Sequence, residues 1–183
     1  ANIDYVHKLA QEKLVLEESV ALYARGRIVL AANRHSGISL MNLRDLLDAR
    51  IRNIAIANPE HAPYGVAAKQ ALEAAGLWEL IQPKLVYGEN VRQALQYVQT
   101  GDAEAGIIAL SIANVPEITW TLIDESLHQP LDQALAIVSG SPNADLANQL
   151  IALINGKLGR PIMRQYGFIL PGETPLMNLD VLP

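Results

Sequence analysis

An α/β fold with mostly parallel sheets and helices on both faces is what this 183-residue sequence predicts, and three features carry the prediction. Strand-like and helix-like segments alternate with turns of only a few residues, the order that builds crossovers onto a parallel sheet. The strand segments are short apolar runs, as buried strands are. Half of the residues are apolar and 18% are charged, enough to fill a sizeable core and too few charges for a disordered chain.

The elements follow in order. Residues 2–14 read as an amphipathic helix with Asn2 or Asp4 as cap and Ile3, Val6, Leu9, Ala10 and Leu14 near helical spacing. "GRIVLAAN" (26–33) reads as one buried strand led in by Tyr23-Ala24-Arg25, and "SLMNLRDLLDARI" (39–51) as a helix with Leu40, Leu43, Leu46 and Leu47 on one side. "NIAIAN" (53–58) is a second buried strand. "GVAAKQALEAAG" (65–76) is a helix stopped at Gly76. A strand lies within 83–90, ending near Gly88. A helix spans 91–101, capped by Asn90 and closed by Gly101. Strands within 103–113 and 131–140 come next, with a strand-like "ITWTLI" between them. Helices at 143–156 and 160–168 follow, and the tail from 173 to 183 lacks periodicity and reads as loose.

Composition excludes several classes. A net charge of −5 with no run of Lys and Arg argues against a nucleic-acid partner. The absence of cysteine excludes disulfides, thiolate catalysis and Cys-type zinc sites. No apolar stretch approaches the roughly 20 residues of a membrane span. Ala1-Asn2-Ile3-Asp4 is not the start of a signal peptide, and with no initiator Met, Ala1 is not expected to be the start of the gene product.

Two strand-to-helix turns carry the chemistry. Pro63-Tyr64-Gly65 and Glu89-Asn90-Val91 each open a helix, whose first amides lack internal partners and whose dipole attracts an anion. Pro63 sets the turn, Gly65 lets a ligand approach the backbone, and the Tyr64 hydroxyl adds a donor. The functional reading is an oxyanion held between two helix starts; the alternative is a pair of ordinary turns that bind only water. Neither is a glycine-rich phosphate loop. Enzyme readings find no support. His7, His35, His61 and His128 are scattered with no metal-ligand spacing, and no serine sits in a G-x-S-x-G elbow. His61 reads as a solvated loop residue beside the pocket, or as an acid or base. Glu117, Asp124 and Glu125 read as a solvated rim, Tyr166 as packing, and Arg92 as an ion-paired surface cation or as one that reaches an anion directly.

Taken together, N-P-x-x-x-P-x-G-x-x-A-x-x-A-L from Asn58, then P-K-L, E-N-V-R-x-A-L and G-x-A-x-x-G-I, resemble the periplasmic molybdate-binding proteins of molybdate ABC importers. "RIVLAAN" and "RQYGFILPG" extend the resemblance to about residue 172. It implies a two-lobed type II periplasmic binding protein fold, with lobe one from residues 1–29 plus 135–172 and lobe two from 30–134, and crossings near Arg27 to Ala31 and Leu131 to Val138. It implies a receptor on the periplasmic or extracellular face of the cytoplasmic membrane. The receptor would capture molybdate or tungstate as an oxyanion, with no cofactor, no bare metal ion and no catalysis, act as a monomer when complete, and deliver to an ABC permease. Alternatives are an oxyanion-sensing domain of a transcription regulator and a receptor for another oxyanion such as sulfate. The implied ligand groups are the amides of Tyr64 and Val91, with Gly65, Asn90 and Ala109 lining the site. Some relatives carry a Tyr where Ala109 stands, so the Tyr64 hydroxyl is expected to replace that contact. Two further Ser or Thr contacts are expected upstream of Ala1, leaving lobe one incomplete in this chain.

Overall fold

The computed structural model describes residues 1–174, and the chain divides into two compact units at Gly26/Arg27 and Pro130/Leu131. In chain order the elements are α1 (Ile3–Gln11), β1 (Ala21–Gly26), β2 (Ile28–Asn33), β3 (Ile54–Ala57), α2 (Pro63–Ala74), α3 (Trp78–Ile81), β4 (Leu85–Gly88) and α4 (Val91–Thr100). They continue with β5 (Ala105–Ala109), β6 (Ile118–Leu122), β7 (Leu131–Leu135), α5 (Ala144–Asn155) and α6 (Gly159–Gln165).

The discontinuous unit is built on β1 paired antiparallel with β7. Arg25 and Asp132 face each other in that register and form a two-pronged ion pair, Nε–Oδ1 2.6 Å and Nη2–Oδ2 3.1 Å. Asn2 caps α1 by accepting the Asp4 amide, as its position predicts. Helix α5 contributes no buried side chain, and Leu146, Leu150 and Leu153 stay more than half exposed. Glu173 is anchored: its carboxylate accepts from Arg160 Nη2 at 2.8 Å and from Arg164, so the expected loose tail does not begin there. Positions 175–183 of that expected tail lie outside the described residues.

The continuous unit, Arg27–Pro130, carries a five-stranded sheet in the order β4-β3-β5-β2-β6. β3 is parallel to both β4 and β5. β2 is antiparallel to β5 and to β6, so it alone runs against the other four strands. Every residue of β2, β3 and β5 is buried, which is why these runs are apolar throughout rather than alternating. The Asn33 carboxamide, 5% exposed at the end of β2, donates to the carbonyls of Val98 (2.7 Å) and Gln99 (3.2 Å) and so closes the last turn of α4. A buried amide so satisfied fixes the helix end against the sheet.

Several elements differ from the sequence reading. The expected single strand 26–33 is two strands in two different sheets, broken at Arg27, whose 4%-exposed side chain lies with Nε 2.9 Å from Glu125 Oε1. The angle is too bent for a hydrogen bond, so the contact is chiefly coulombic. The expected helix 39–51 is only a 3-10 turn, Leu43–Leu47. Asn42 and Asp45 form a capping box that starts it late, and Asp48 leaves helical geometry at ψ 130°. The buried leucines Leu40, Leu43 and Leu46 reach the core without a full helix. The strand expected in 131–140 stops at Leu135, and the short α3 was not anticipated.

Glu104 staples the entries of β3 and β5. Its Oε2 accepts the amides of Arg52 (3.0 Å) and Asn53 (2.9 Å), while Oε1 meets the Arg52 guanidinium at 3.2 Å. Burial pushes its carboxyl up, but the Asn53, Arg52 and own-chain amides and the Arg52 side chain together hold it below the usual range. A depressed folded value means that its stabilisation is present above the ordinary Glu range and lost as pH falls through the folded value. Glu104→Gln is expected to cost about 1 kcal/mol at pH 7 in urea unfolding, with the gap to the parent shrinking towards pH 3.

Candidate functional site

The site begins with the parallel pairing of β3 and β4, in register Ala57↔Gly88. Both strands end on the same side of the sheet, and each hands over within a few residues to a helix. The two exit loops are bonded to each other. The Asn58 amide donates to the Gly88 carbonyl at 2.7 Å, and His61 Nε2 lies 3.0 Å from the Glu89 carbonyl oxygen. The starts of α2 and α4 are thus tied side by side, in the position where open α/β sheets receive ligands.

The start of α4 is defined by its cap. Asn90, at φ −151° and ψ 172°, accepts the Arg92 and Gln93 amides on its side-chain oxygen, 3.0 Å each, and the Ala94 amide on its carbonyl at 3.2 Å. Val91 is left as the first-turn amide for which no described residue supplies an acceptor. Gln93 Oε1 reaches back to the Glu89 amide at 2.7 Å, so the loop backbone on the near side is satisfied as well. Arg92 is exposed.

The start of α2 has no side-chain cap. Pro63 stands at the first position, where its missing N–H costs nothing, and the Ala62 carbonyl takes the amides of Gly65 (2.9 Å) and Val66 (3.0 Å). Tyr64, half-buried, is the first residue of this helix with an N–H. Gly65 has a different use from the one expected. A Cβ there would lie 2.2 Å from the Ala57 carbonyl oxygen, so its bare face is pressed against the end of β3 rather than turned towards a ligand. Gly88 is matched to it on the other loop, where a Cβ would lie 2.8 Å from the Ala94 nitrogen. The two glycines let each helix start sit directly on its strand end.

Ala109 ends β5, the strand on the other side of β3, and is buried at 2% exposure with no donor on its side chain. His61 is exposed, as expected of a loop residue, but it is not merely solvated. A ring nitrogen facing a carbonyl oxygen at 3.0 Å carries the proton and donates it. Its bond spans 28 residues of sequence, which is why no local pattern announces it. Burial raises the Tyr87 hydroxyl and the nearby Glu60 carboxylate adds to it, a further sign that the loop after β3 lies over β4. The donors gathered here are uncharged, and among the described residues no group of three His, Cys, Asp or Glu side chains is arranged to hold a metal ion. A separate cavity of about 370 Å³ in this unit is lined by Leu30, Leu43, Thr121, Ile123 and Leu127; it is mainly apolar and includes neither helix start.

Comparison with known proteins gives a consistent result. Residues 1–169 match the family described as bacterial extracellular solute-binding protein. Molybdate-binding proteins of Azotobacter vinelandii and Rhodobacter capsulatus are 31% and 27% identical over 166 and 164 residues. Each alignment covers 88% of this chain and 65% or 64% of the relative, so the chain spans less than two thirds of the length of these curated relatives. The structure of the Azotobacter vinelandii periplasmic molybdate-binding protein superposes with a TM-score of 0.85 at 27% identity, covering 93% of this chain and 76% of the other.

Gly65→Ala is expected to lift the start of α2 off β3, lower stability by about 1–3 kcal/mol and shift the Tyr64 amide resonance. Asn90→Ala is expected to cost about 1 kcal/mol and leave the Tyr64 signal in place. Urea unfolding and amide spectra of the two variants read both outcomes.

Proposed function

As this chain belongs to the bacterial extracellular solute-binding protein family, we propose that it captures molybdate or tungstate with uncharged donors on the starts of α2 and α4 and passes it to an ABC permease. The site works outside the cytoplasmic membrane, needs no cofactor and catalyses nothing. The protein acts as a monomer, and molybdenum is met only as its oxyanion.

The Val91 amide is the observation that carries this reading. Among the described residues it is a helix-start donor without an acceptor, with the helix dipole behind it and a second helix start tied alongside. The Tyr64 amide is its partner from α2, and the Tyr64 hydroxyl adds the bond that Ala109 cannot make. Asn90 holds the Val91 amide in place, and Gly65 sets how close α2 comes to the strand end. The two relatives and the superposed structure are molybdate-binding proteins, which supports the same ligand here. In a site of fixed neutral donors, an oxyanion of the wrong size leaves a donor or an oxygen unmatched, at about 1–3 kcal/mol each. One or two mismatches suffice for a large preference, since about 1.4 kcal/mol is tenfold in affinity.

Thermal unfolding of the full-length protein tests the proposal. Molybdate and tungstate at about a hundred times Kd stabilise by about 2.7 kcal/mol and are expected to raise Tm by about 5 °C or more. Sulfate and phosphate at the same concentration are expected to leave it nearly unchanged. Equal shifts with sulfate, or none with any of the four, overturn it. Tyr64→Phe is expected to weaken molybdate by about tenfold, the worth of one good hydrogen bond.

A further inference from the structure

We propose that His61 is a positioning residue of this site, a strut from the loop before α2 that fixes the aim of the Val91 amide on α4. The inference rests on the oxyanion reading above. His61 lies two residues before Pro63, and its Nε2 reaches the Glu89 carbonyl at 3.0 Å. A carbonyl only accepts, so the ring is held with the proton on Nε2, the form in which it donates.

The position of that bond matters more than its strength. The Glu89 amide is taken by Gln93 Oε1 at 2.7 Å and the Glu89 carbonyl by His61, so the peptide groups on both sides of the Glu89 Cα are held by side chains. The next peptide group along is Asn90–Val91, which carries the donor. From the far side, Asn90 is held by the Arg92 and Gln93 amides on its side chain. Of the side chains that orient this turn, Asn90 and Gln93 belong to α4 and its cap, while His61 comes from the other loop. Together with the Asn58–Gly88 bond of 2.7 Å, it gives the two loops two ties in successive positions, 58 to 88 and 61 to 89. One tie sets separation; the second restrains rotation of one helix start against the other. An anion that needs both amides at once senses that rotation directly.

Three variants separate a strut from a surface histidine. His61→Gln keeps an N–H near the place of Nε2, His61→Asn is too short to reach, and His61→Leu has no donor. Molybdate affinity is read by calorimetry on the full-length protein, and ring and amide nitrogen spectra are read without ligand. His61→Leu and His61→Asn are expected to weaken molybdate by about three- to tenfold and to move the Val91 amide signal, with Tm within about 2 °C of the parent; His61→Gln is expected to restore both. The ring in the parent is expected to show the proton on Nε2. A ring protonated only on Nδ1, or a His61→Leu protein with unchanged Val91 signal and affinity, overturns the proposal. If the parent binds none of the oxyanions, the functional reading fails, and the ligand-free spectra still decide whether the strut exists.

Discussion

The pairing of β3 with β4, Ala57 opposite Gly88, is the constraint on which the site depends. Parallel strands stand about 4.8 Å apart, and whatever follows them starts from that spacing. Two glycines carry it through to the helices: Gly65 against the Ala57 carbonyl and Gly88 against the Ala94 nitrogen leave no room for even a methyl group. The helices therefore begin on the strand ends themselves rather than at the far side of flexible loops. The close approach is a property of the sheet, passed through backbone contacts, and the side chains around it only refine the aim.

The electrostatics follow the same economy. The one deeply buried guanidinium in the continuous unit, that of Arg27, lies against Glu125, and Arg92 beside the α4 start is exposed. The donor that the α4 start itself presents, the Val91 amide, is uncharged. Charges attract every anion at long range, and their attraction varies slowly with distance; hydrogen bonds fall off steeply with length and angle. A receptor built on the second kind of force ranks anions by size and shape.

What was legible in the sequence was local. Pro63, Gly65, Asn90 and Gly101 mark where helices start and stop, because capping is decided within a few residues, and the elements at α2 and α4 stand close to where those signs put them. The family resemblance then gave those turns a purpose. Four things were not legible. Leu40, Leu43, Leu46 and Leu47 have helical spacing, yet a single tight turn, started late by its capping box, suffices to bury Leu43 and Leu46, while Leu40 is buried ahead of it and Leu47 stays exposed. The reversal of β2 leaves no trace in its apolar run, since periodicity carries no direction. Gly65 was read as an opening for ligand because the turn suggested space; which way its bare face points depends on the strand it packs against. The bond from His61 to Glu89 is invisible for the same reason, being a contact between separate loops.

The placement of β2 has a consequence for how the polypeptide is made. Its buried run Ile28–Asn33 lies between β5 and β6, whose residues begin at Ala105 and Ile118. On a ribosome working from the N-terminus, this sticky ribbon emerges long before either neighbour exists. The position next to the β6 edge is filled by the unit's earliest strand, and the latest strand completes its pairing. Cooperative closure must therefore wait for most of the unit to be synthesised, which favours slow folding and prolonged exposure of apolar backbone.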